Sequence, residues 1–153
     1  MIYYCDSSAV SKIYLEEAGT TFMRKIRHNA PRDELFINDT TGPEVLSALH
    51  RRFRAGDLTM EVFSEARNDF RRDYFEFFHR VFLSEPVFAL AMELIEKYPL
   101  KGYDSIQLAA ALHMQAVLRV SNGQEVHFLG SDKVLNNAAQ REGLVVINPS
   151  EQA

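Results

Sequence analysis

The chain has 153 residues, of which 46% are hydrophobic and 25% charged, and its formal net charge at pH 7 is −4. These values exclude a disordered or low-complexity chain, and no apolar run approaches the roughly 20 residues of a membrane span. The single cysteine, Cys5, excludes an intrachain disulfide, and the N-terminus lacks the basic segment of a signal peptide, so we expect one cytoplasmic domain over residues 1–153.

The first half of the chain alternates short apolar runs with amphipathic stretches. Residues 2–5 predict a buried strand, and the polar residues after it predict the start of a helix over about 8–17. Further elements predicted here are a short helix from Thr20 or Thr21, a strand over 35–37, a helix that begins at Pro43 and stops before Gly56, and a longer helix from Thr59.

The second half continues this alternation. Residues 81–83 predict a short strand or a helix end, and Val87 to Tyr98 follow helical spacing. The segment 104–118 is apolar almost all round, which is typical of a buried central helix. A strand over 126–129, a helix that ends at Gly143 and a strand over 144–147 complete the series. The pattern predicts an α/β fold with a central, mostly parallel sheet of about five short strands, flanked by helices on both faces.

Four acidic residues fall where such a fold would bring them together. Asp6 and Asp132 each follow an apolar strand, Glu44 lies in the first turn of the helix after the second strand, separated from it by a five-residue loop, and Asp104 opens the buried helix. Because the carboxyl ends of parallel strands face a common crevice, we expect these carboxylates to converge there. Each acid alone also suits a helix start, which it stabilises by about 0.3–1 kcal/mol. Together they would repel one another and need a cation, and their hard oxygens favour Mg²⁺ or Mn²⁺.

Four segments around these acids share features with a known family. Tyr4–Lys12 is a strand followed by Asp-Ser-Ser and a helix, and Pro43–Leu49 places a Glu among apolar and small residues. Tyr103–Ala111 carries an Asp before a Leu-Ala pair, and Phe128–Leu135 is a strand that ends in Ser-Asp. Their order and spacing resemble the PIN-domain ribonucleases, particularly the toxin half of VapBC toxin–antitoxin pairs.

The resemblance implies a PIN-like fold and a metal-dependent endoribonuclease. Asp6, Glu44 and Asp104 would hold a Mg²⁺ or Mn²⁺ ion, and Asp132 would complete the site or belong to a second metal shell. The implied partners are an RNA substrate, a cognate small antitoxin and a second copy in a homodimer. The chain departs from the family pattern at Ser105, where Ala is common, and at Gln107, where His is common.

Two other interpretations remain open at this stage. One is a catalytically silent RNA- or protein-binding module of the same fold, which metal-dependent RNA cleavage would distinguish. The other is a receiver-type signalling domain, which the sequence disfavours because only a single acid, Asp6, follows the first strand. The net negative charge disfavours a passive nucleic-acid coat but is compatible with an enzyme whose acids hold metal ions.

Other polar residues near the acids have both a functional and a structural interpretation. Ser7 and Ser131 would orient a carboxylate or a metal-bound water, or simply cap helices. A set of basic residues would contact RNA phosphates or form solvated helix faces; its members are Lys12, Arg51, Arg52 and Arg54.

The helix from Thr59 is unusually rich in aromatic and charged residues. Its aromatic run between Phe70 and Phe82 predicts core packing or a contact with a second copy or an antitoxin. The arginines Arg67, Arg71 and Arg72 alternate with acids, which favours pairing along the helix over a nucleic-acid patch.

Overall fold

Five short apolar segments pair into one parallel sheet in the computed structural model, which describes residues 1–153. The strands are β1 (Ile2–Cys5), β2 (Glu34–Asn38), β3 (His79–Val81), β4 (Val126–Leu129) and β5 (Val145–Ile147). Their order across the sheet is β3-β2-β1-β4-β5, and Tyr4 of β1 lies between Phe36 and Phe128. Every paired neighbour is parallel, so the predicted α/β class is confirmed and the sheet has no antiparallel strand.

Seven helices cover the sheet, and none of them is long and apolar enough to cross a lipid bilayer. They are α1 (Ser7–Tyr14), α2 (Thr20–His28), α3 (Thr41–Arg54), α4 (Met60–Glu76), α5 (Glu85–Lys97), α6 (Gly102–Ser121) and α7 (Lys133–Arg141), and a short 3₁₀ turn (Pro149–Glu151) follows β5.

The alternation of side chains along β1 divides the core into two clusters. Ile2 and Tyr4 face a cluster built with α5, α6 and α7. Tyr3 and Cys5 face the opposite cluster, built with α1 to α4. Successive side chains of a strand point to opposite faces, so a strand that is apolar throughout requires cover on both sides. The predicted flanking of the sheet by helices on both faces is therefore confirmed.

Three local predictions differ from the structure. The strand predicted over 81–83 is instead His79–Val81, and Phe82 beyond it is 78% exposed. The segment 104–118 is buried as far as Gln115, and only its last turn is not, because Val117 faces outward. The loop between β2 and α3, predicted to have five residues, contains only two, since β2 continues to Asn38 and α3 begins already at Thr41. Asn38 extends the strand because neighbouring polar groups satisfy its buried amide.

The aromatic run divides between the core and the surface. Phe70 and Phe78 are buried in the cluster formed with α1 to α4. Phe75 is 66% exposed, and Arg80 lies over its ring. Core packing therefore accounts for part of the run, and Phe75 and Phe82 remain on the surface.

A buried carboxylate, Asp73, joins three helices on the α1–α4 side. Its Oδ2 accepts hydrogen bonds from the Tyr14 hydroxyl of α1 at 2.8 Å and from Arg27 Nη2 of α2 at 2.7 Å. Its Oδ1 accepts a bond from Arg72 on its own helix at 3.1 Å. Burial and the charge of Asp73 raise the pKa of Tyr14, so this hydroxyl remains a donor. Asp73 therefore connects helices, whereas the sequence predicted pairing only along α4.

We expect Asp73→Asn to lower the free energy of unfolding by about 1–2 kcal/mol, because charge-assisted bonds to Arg27 and Tyr14 become neutral ones. Urea denaturation of both proteins measures the difference. Asp69→Asn is the matched control, since the exposed Asp69 pairs only with Arg72 and should cost less than about 0.5 kcal/mol. Equal effects of the two substitutions would contradict the role assigned to Asp73.

Candidate active site

A cavity of about 1000 Å³ lies at the carboxyl ends of β1 and β4, and all four of the candidate carboxylates line it. Three helices supply its walls: the first turns of α1, one face of α3 and the start of α6. The structure thus brings Asp6, Glu44, Asp104 and Asp132 to one cavity from four separate parts of the sequence.

Asp6 is the most buried of the four acids, with 3% of its surface exposed. It ends β1 and caps α1, and its Oδ2 accepts a 2.7 Å hydrogen bond from the Ser8 hydroxyl. Its Oδ1 is buried and has no hydrogen-bond partner. Burial raises the pKa of Asp6 to about 6, and the charges of Glu44 and Asp104 add to the rise while the bond from Ser8 opposes it. Asp6 therefore presents an oxygen that no protein donor satisfies.

Glu44 lies half-buried in the first turn of α3, with donors on both of its oxygens. The Ser7 hydroxyl donates to Oε2 at 3.1 Å, and the Gln107 amide donates to Oε1 at 2.8 Å. Of the two interpretations of Ser7, the structure supports carboxylate orientation, since Asp6 rather than Ser7 caps α1. Glu44 is therefore held in one orientation from α1 and α6.

A buried polar network lies behind Glu44, and its centre is Gln107, which has no exposed surface. Gln107 Oε1 accepts hydrogen bonds from the Tyr4 hydroxyl at 2.8 Å and from the Asn38 amide at 3.2 Å. Gln107 Nε2 donates to Thr41 Oγ1 at 3.1 Å as well as to Glu44. The sequence pattern singled out Gln107 only as a departure from a family motif. The signal that marks the network is a pair of amide side chains, Asn38 and Gln107, in otherwise apolar segments.

Asp104 and Asp132 occupy more open positions. Asp104 is the third residue of α6 and is half-buried. Burial raises its pKa, and repulsion from Asp132 and Glu44 raises it further, while Lys101 has the opposite effect. Asp132 is exposed and caps α7, since its Oδ1 accepts a 2.8 Å bond from the backbone amide of Leu135. Asp132 therefore caps α7 with one carboxylate oxygen, and its side chain also lines the cavity.

The donor set fits a divalent cation in its chemistry. No three histidine, cysteine or acidic side chains are already grouped as a metal site in this structure. Burial and, to a smaller extent, the neighbouring acids raise the pKa values of Asp6 and Asp104, and Asp6 Oδ1 has no partner, so a cation would stabilise charges that the site disfavours. Carboxylate oxygens without thiolates or imidazoles are the donors that Mg²⁺ and Mn²⁺ prefer.

The Ser131 hydroxyl neither bonds to a carboxylate nor caps a helix. The Ser131 backbone amide donates to the Ser8 hydroxyl at 3.0 Å, and that hydroxyl in turn donates to Asp6. The Ser131 hydroxyl itself contacts Ser150, not a carboxylate. Ser131 therefore supports Asp6 through its backbone and through Ser8.

Only one of the four predicted phosphate-contacting residues lies in the cavity. Arg51 lines it, on the same face of α3 as Glu44. Lys12 is buried, its Nζ lies 3.6 Å from Glu17, and it does not line this cavity. Arg52 lines a different cavity between α1, α3 and α4, and Arg54 lies at the end of α3 outside the carboxylate cavity. Helical periodicity explains the separation, because consecutive basic residues point in different directions.

Among the lining residues that the sequence pattern did not single out, two have large side chains. Lys101 and Tyr103 both precede Asp104 at the start of α6. Their only signal in the sequence is this position next to a candidate ligand, since an exposed lysine and a tyrosine are ordinary at a helix start.

Comparisons with known proteins were made on both sequence and structure. The family model described as "PIN domain" matches residues 3–127, whereas a search of curated protein sequences found no match. Among solved structures, PAE2754 from Pyrobaculum aerophilum is 18% identical and has a TM-score of 0.60, with 95% of this chain and 89% of that chain covered. FitAcB from Neisseria gonorrhoeae is 13% identical with a TM-score of 0.60, and the coverage is 99% of this chain and 100% of that chain. At these identities the structural similarity shows the fold alone.

Proposed function

The chain belongs to the PIN domain family, and on that premise we propose that it is a Mg²⁺- or Mn²⁺-dependent endoribonuclease, the toxin of a type II toxin–antitoxin pair. The family is one of nucleases in general, which supports hydrolysis of a nucleic acid. The observation that carries the proposal to this chain is the buried, unpartnered oxygen of Asp6 in a cavity that three other carboxylates also line. RNA as the substrate is what the resemblance of the four segments around these acids to PIN-domain ribonucleases implies.

The residues of the cavity have distinct parts in this proposal. Asp6, Glu44 and Asp104 hold the ion, and Asp132 completes the site from α7. Bound there, Mg²⁺ or Mn²⁺ would offset the charge of a phosphodiester and lower the pKa of an attacking water. Gln107 and Ser7 keep Glu44 in one orientation, which reduces the entropy lost when the ion binds.

The proposed partners are an antitoxin and a second copy of the chain. The cavity has four carboxylates and two basic side chains, so a cationic residue of a small antitoxin could compete with the ion for it. The exposed Phe75 and Phe82 offer apolar surface for a homodimer contact. A cytoplasmic location, where RNA is available, is part of the same proposal.

We expect the purified protein to cleave single-stranded RNA when Mn²⁺ or Mg²⁺ is present, to stop when EDTA is added, and to resume when excess metal is restored. Gel electrophoresis of an end-labelled RNA measures the internal cuts. Cleavage that continues in EDTA would contradict the metal dependence. Intact RNA with either metal would favour the catalytically silent module of the same fold.

A further inference from the structure

We propose that Asn136 of α7 is a further ligand of the ion, beside Asp6, so that the ion binds an uncharged amide oxygen as well as carboxylates. The inference rests on the proposed function and concerns the same ion. Asn136 does not itself line the carboxylate cavity, but its side-chain oxygen lies beside Asp6, which does. The sequence pattern gave no reason to single out this residue.

Both residues have a buried side-chain oxygen without a hydrogen-bond partner. Only three buried side-chain atoms in the chain lack a partner, and these are Asp6 Oδ1, His127 Nδ1 and Asn136 Oδ1. Asp6 is 3% exposed and Asn136 is 8% exposed, so bulk water does not replace the missing partner. Because buried polar atoms in folded proteins nearly always have a partner, two orphaned oxygens side by side point to a cation that both of them bind.

The two oxygens come close because residue 130 has no side chain. β1 and β4 pair Cys5 with Leu129, so Asp6 and Gly130 follow as neighbours on adjacent strands. A Cβ on Gly130 would lie 2.7 Å from Asn136 Oδ1 and 3.7 Å from Asp6 Cβ. One point of the fold is therefore within 4 Å of both side chains, and Asn136 Oδ1 occupies the space that this Cβ would need.

The orientation of the Asn136 amide is fixed by the backbone. Its Nδ2 donates to the Gly130 carbonyl oxygen at 2.8 Å. The reversed amide would place Oδ1 against that oxygen, and two acceptors without a proton between them repel each other. Oδ1 is therefore the atom that is left free, and it is also the atom nearest to the Cβ position of Gly130.

Helix α7 places Asn136 one turn beyond Asp132. The two residues are four positions apart, which puts them on one face of the helix, and the Asn136 backbone amide donates to the Asp132 carbonyl at 2.9 Å. Asp132 lines the carboxylate cavity from the start of this helix. The same face of α7 therefore presents a carboxylate at the cavity and an amide oxygen next to Asp6.

An amide oxygen suits this site because it carries no net charge. Carbonyl oxygens are ordinary ligands of hard divalent cations, as carboxylates are. Four carboxylates already carry more negative charge than one divalent cation neutralises. A fifth carboxylate would add to their mutual repulsion, whereas an amide adds an oxygen without adding a charge. Asn136 thus completes the set of donors at a low electrostatic cost.

The test measures binding of Mn²⁺ alone by isothermal calorimetry, without RNA. We expect Asn136→Leu, which keeps the size of the side chain and removes its polar atoms, to weaken Mn²⁺ binding by at least about tenfold. Asn136→Asp should bind Mn²⁺ at least as tightly as the wild-type protein, because it keeps an oxygen at this position although it loses the amide that bonds to Gly130. Asn137→Leu, at the exposed asparagine that follows, is the matched control and should leave the affinity unchanged.

A count of water molecules on the ion distinguishes a ligand from a residue that only supports the fold. The luminescence lifetimes of bound Eu³⁺ in H₂O and in D₂O report how many water molecules the ion carries. Eu³⁺ on Asn136→Leu should carry about one more than on the wild-type protein, because a water replaces the lost amide oxygen. Circular dichroism checks that each variant is folded under the conditions used.

Three outcomes would overturn the assignment of Asn136. They are equal Mn²⁺ affinities of Asn136→Leu and the wild-type protein, equal losses of affinity in Asn136→Leu and Asn136→Asp, and an unchanged number of water molecules on Eu³⁺. Metal-dependent cleavage of RNA by the wild-type protein together with any of these would leave the nuclease proposal intact. The expected affinities and water counts without cleavage in any metal would do the reverse, and a wild-type protein that binds neither ion would overturn both.

Discussion

Asp6→Asn is expected to stabilise the metal-free protein and, at the same time, to abolish its binding of Mn²⁺. The buried carboxylate has a pKa of about 6, raised from an ordinary value of 3.8 by burial and by its acidic neighbours. At neutral pH the fold must therefore accommodate a charge that it disfavours, and a neutral amide of the same shape removes this cost. We expect a gain of roughly 1–3 kcal/mol in the free energy of unfolding.

The difference in stability between the wild-type protein and Asp6→Asn should change with pH in one direction. Between about pH 4 and pH 6 the folded protein holds a proton on Asp6 that the unfolded chain has already released, so the stability of the metal-free protein falls as the pH rises through this interval. The advantage of Asp6→Asn should grow over the same interval and stay constant above it. Below about pH 4 the carboxyl is protonated in both states, and the two proteins should be equally stable.

Addition of Mn²⁺ should make the wild-type protein more stable than Asp6→Asn. A ligand that binds only the folded state adds about 2.7 kcal/mol at a concentration of 100 times its Kd. We expect Mn²⁺ to raise the melting temperature of the wild-type protein and to leave that of Asp6→Asn unchanged, with isothermal calorimetry as the direct measure of binding. Asp73→Asn is the matched control, since this buried aspartate is paired: it should lose stability and keep its Mn²⁺ affinity. Equal stabilisation of wild-type and Asp6→Asn proteins by Mn²⁺ would reject Asp6 as a ligand.

Gln107→Leu is expected to have the largest destabilising effect, about 3–5 kcal/mol. The substitution leaves the Tyr4 hydroxyl, the Asn38 amide and the Thr41 hydroxyl with fewer partners in a fully buried site, and each unsatisfied polar group costs about 1–3 kcal/mol. It also removes the closer of the two donors on Glu44 Oε1 and leaves only the Thr40 hydroxyl at 3.2 Å. Loss of such a support to a ligand typically lowers metal affinity by about 10–100-fold, so we expect weaker Mn²⁺ binding in the variant that remains folded at low temperature.

A second glutamine on the same helix allows the effect on folding to be distinguished from the effect on Mn²⁺ binding. Gln115 is also buried, and its amide bonds to the backbone of Gln124 and Val126, away from the cavity. Gln115→Leu should destabilise the protein without changing its Mn²⁺ affinity. Gln107→His should recover part of that affinity, because an imidazole N–H can donate to Glu44. If both leucine variants lower the affinity equally, Gln107 contributes to folding alone.

Part of the fold and of the carboxylate cavity can be predicted from local sequence patterns. The runs of β1 and β4 match the predicted strands residue for residue, because a short run that is apolar on both faces, or nearly so as in β4 with its single His127, is stable only between two covered faces. Asp6 follows β1 directly and Asp132 lies three residues beyond the end of β4, and the parallel pairing of these strands then brings both acids to the same end of the sheet. Helix ends were less predictable: α1 stops at Tyr14 and not at Glu17, since the fraying of a last turn depends on its packing.

Other features depend on contacts between distant parts of the chain. Lys12 and Arg51 have the same charge and both lie on helices, yet one is buried beside Glu17 and the other lines the cavity. Phe70 and Phe75 stand five residues apart on one helix, so helical spacing places them on different faces, about 140° apart. The packing of α4 on α1 and α3 decides which of these faces is buried.

The sequence by itself therefore determined the α/β class, the order of its elements and the position of each acid relative to a strand or helix end, because these depend on hydrophobic periodicity and capping over a few residues. The tertiary structure alone decided which polar groups meet. Tyr4 and Gln107 are 103 residues apart in the chain but 2.8 Å apart in the fold, and the orphaned oxygen of Asp6 exists only because the surrounding elements exclude every donor from it. Burial and hydrogen bonding at such a point are set by the whole packed arrangement, not by any one segment.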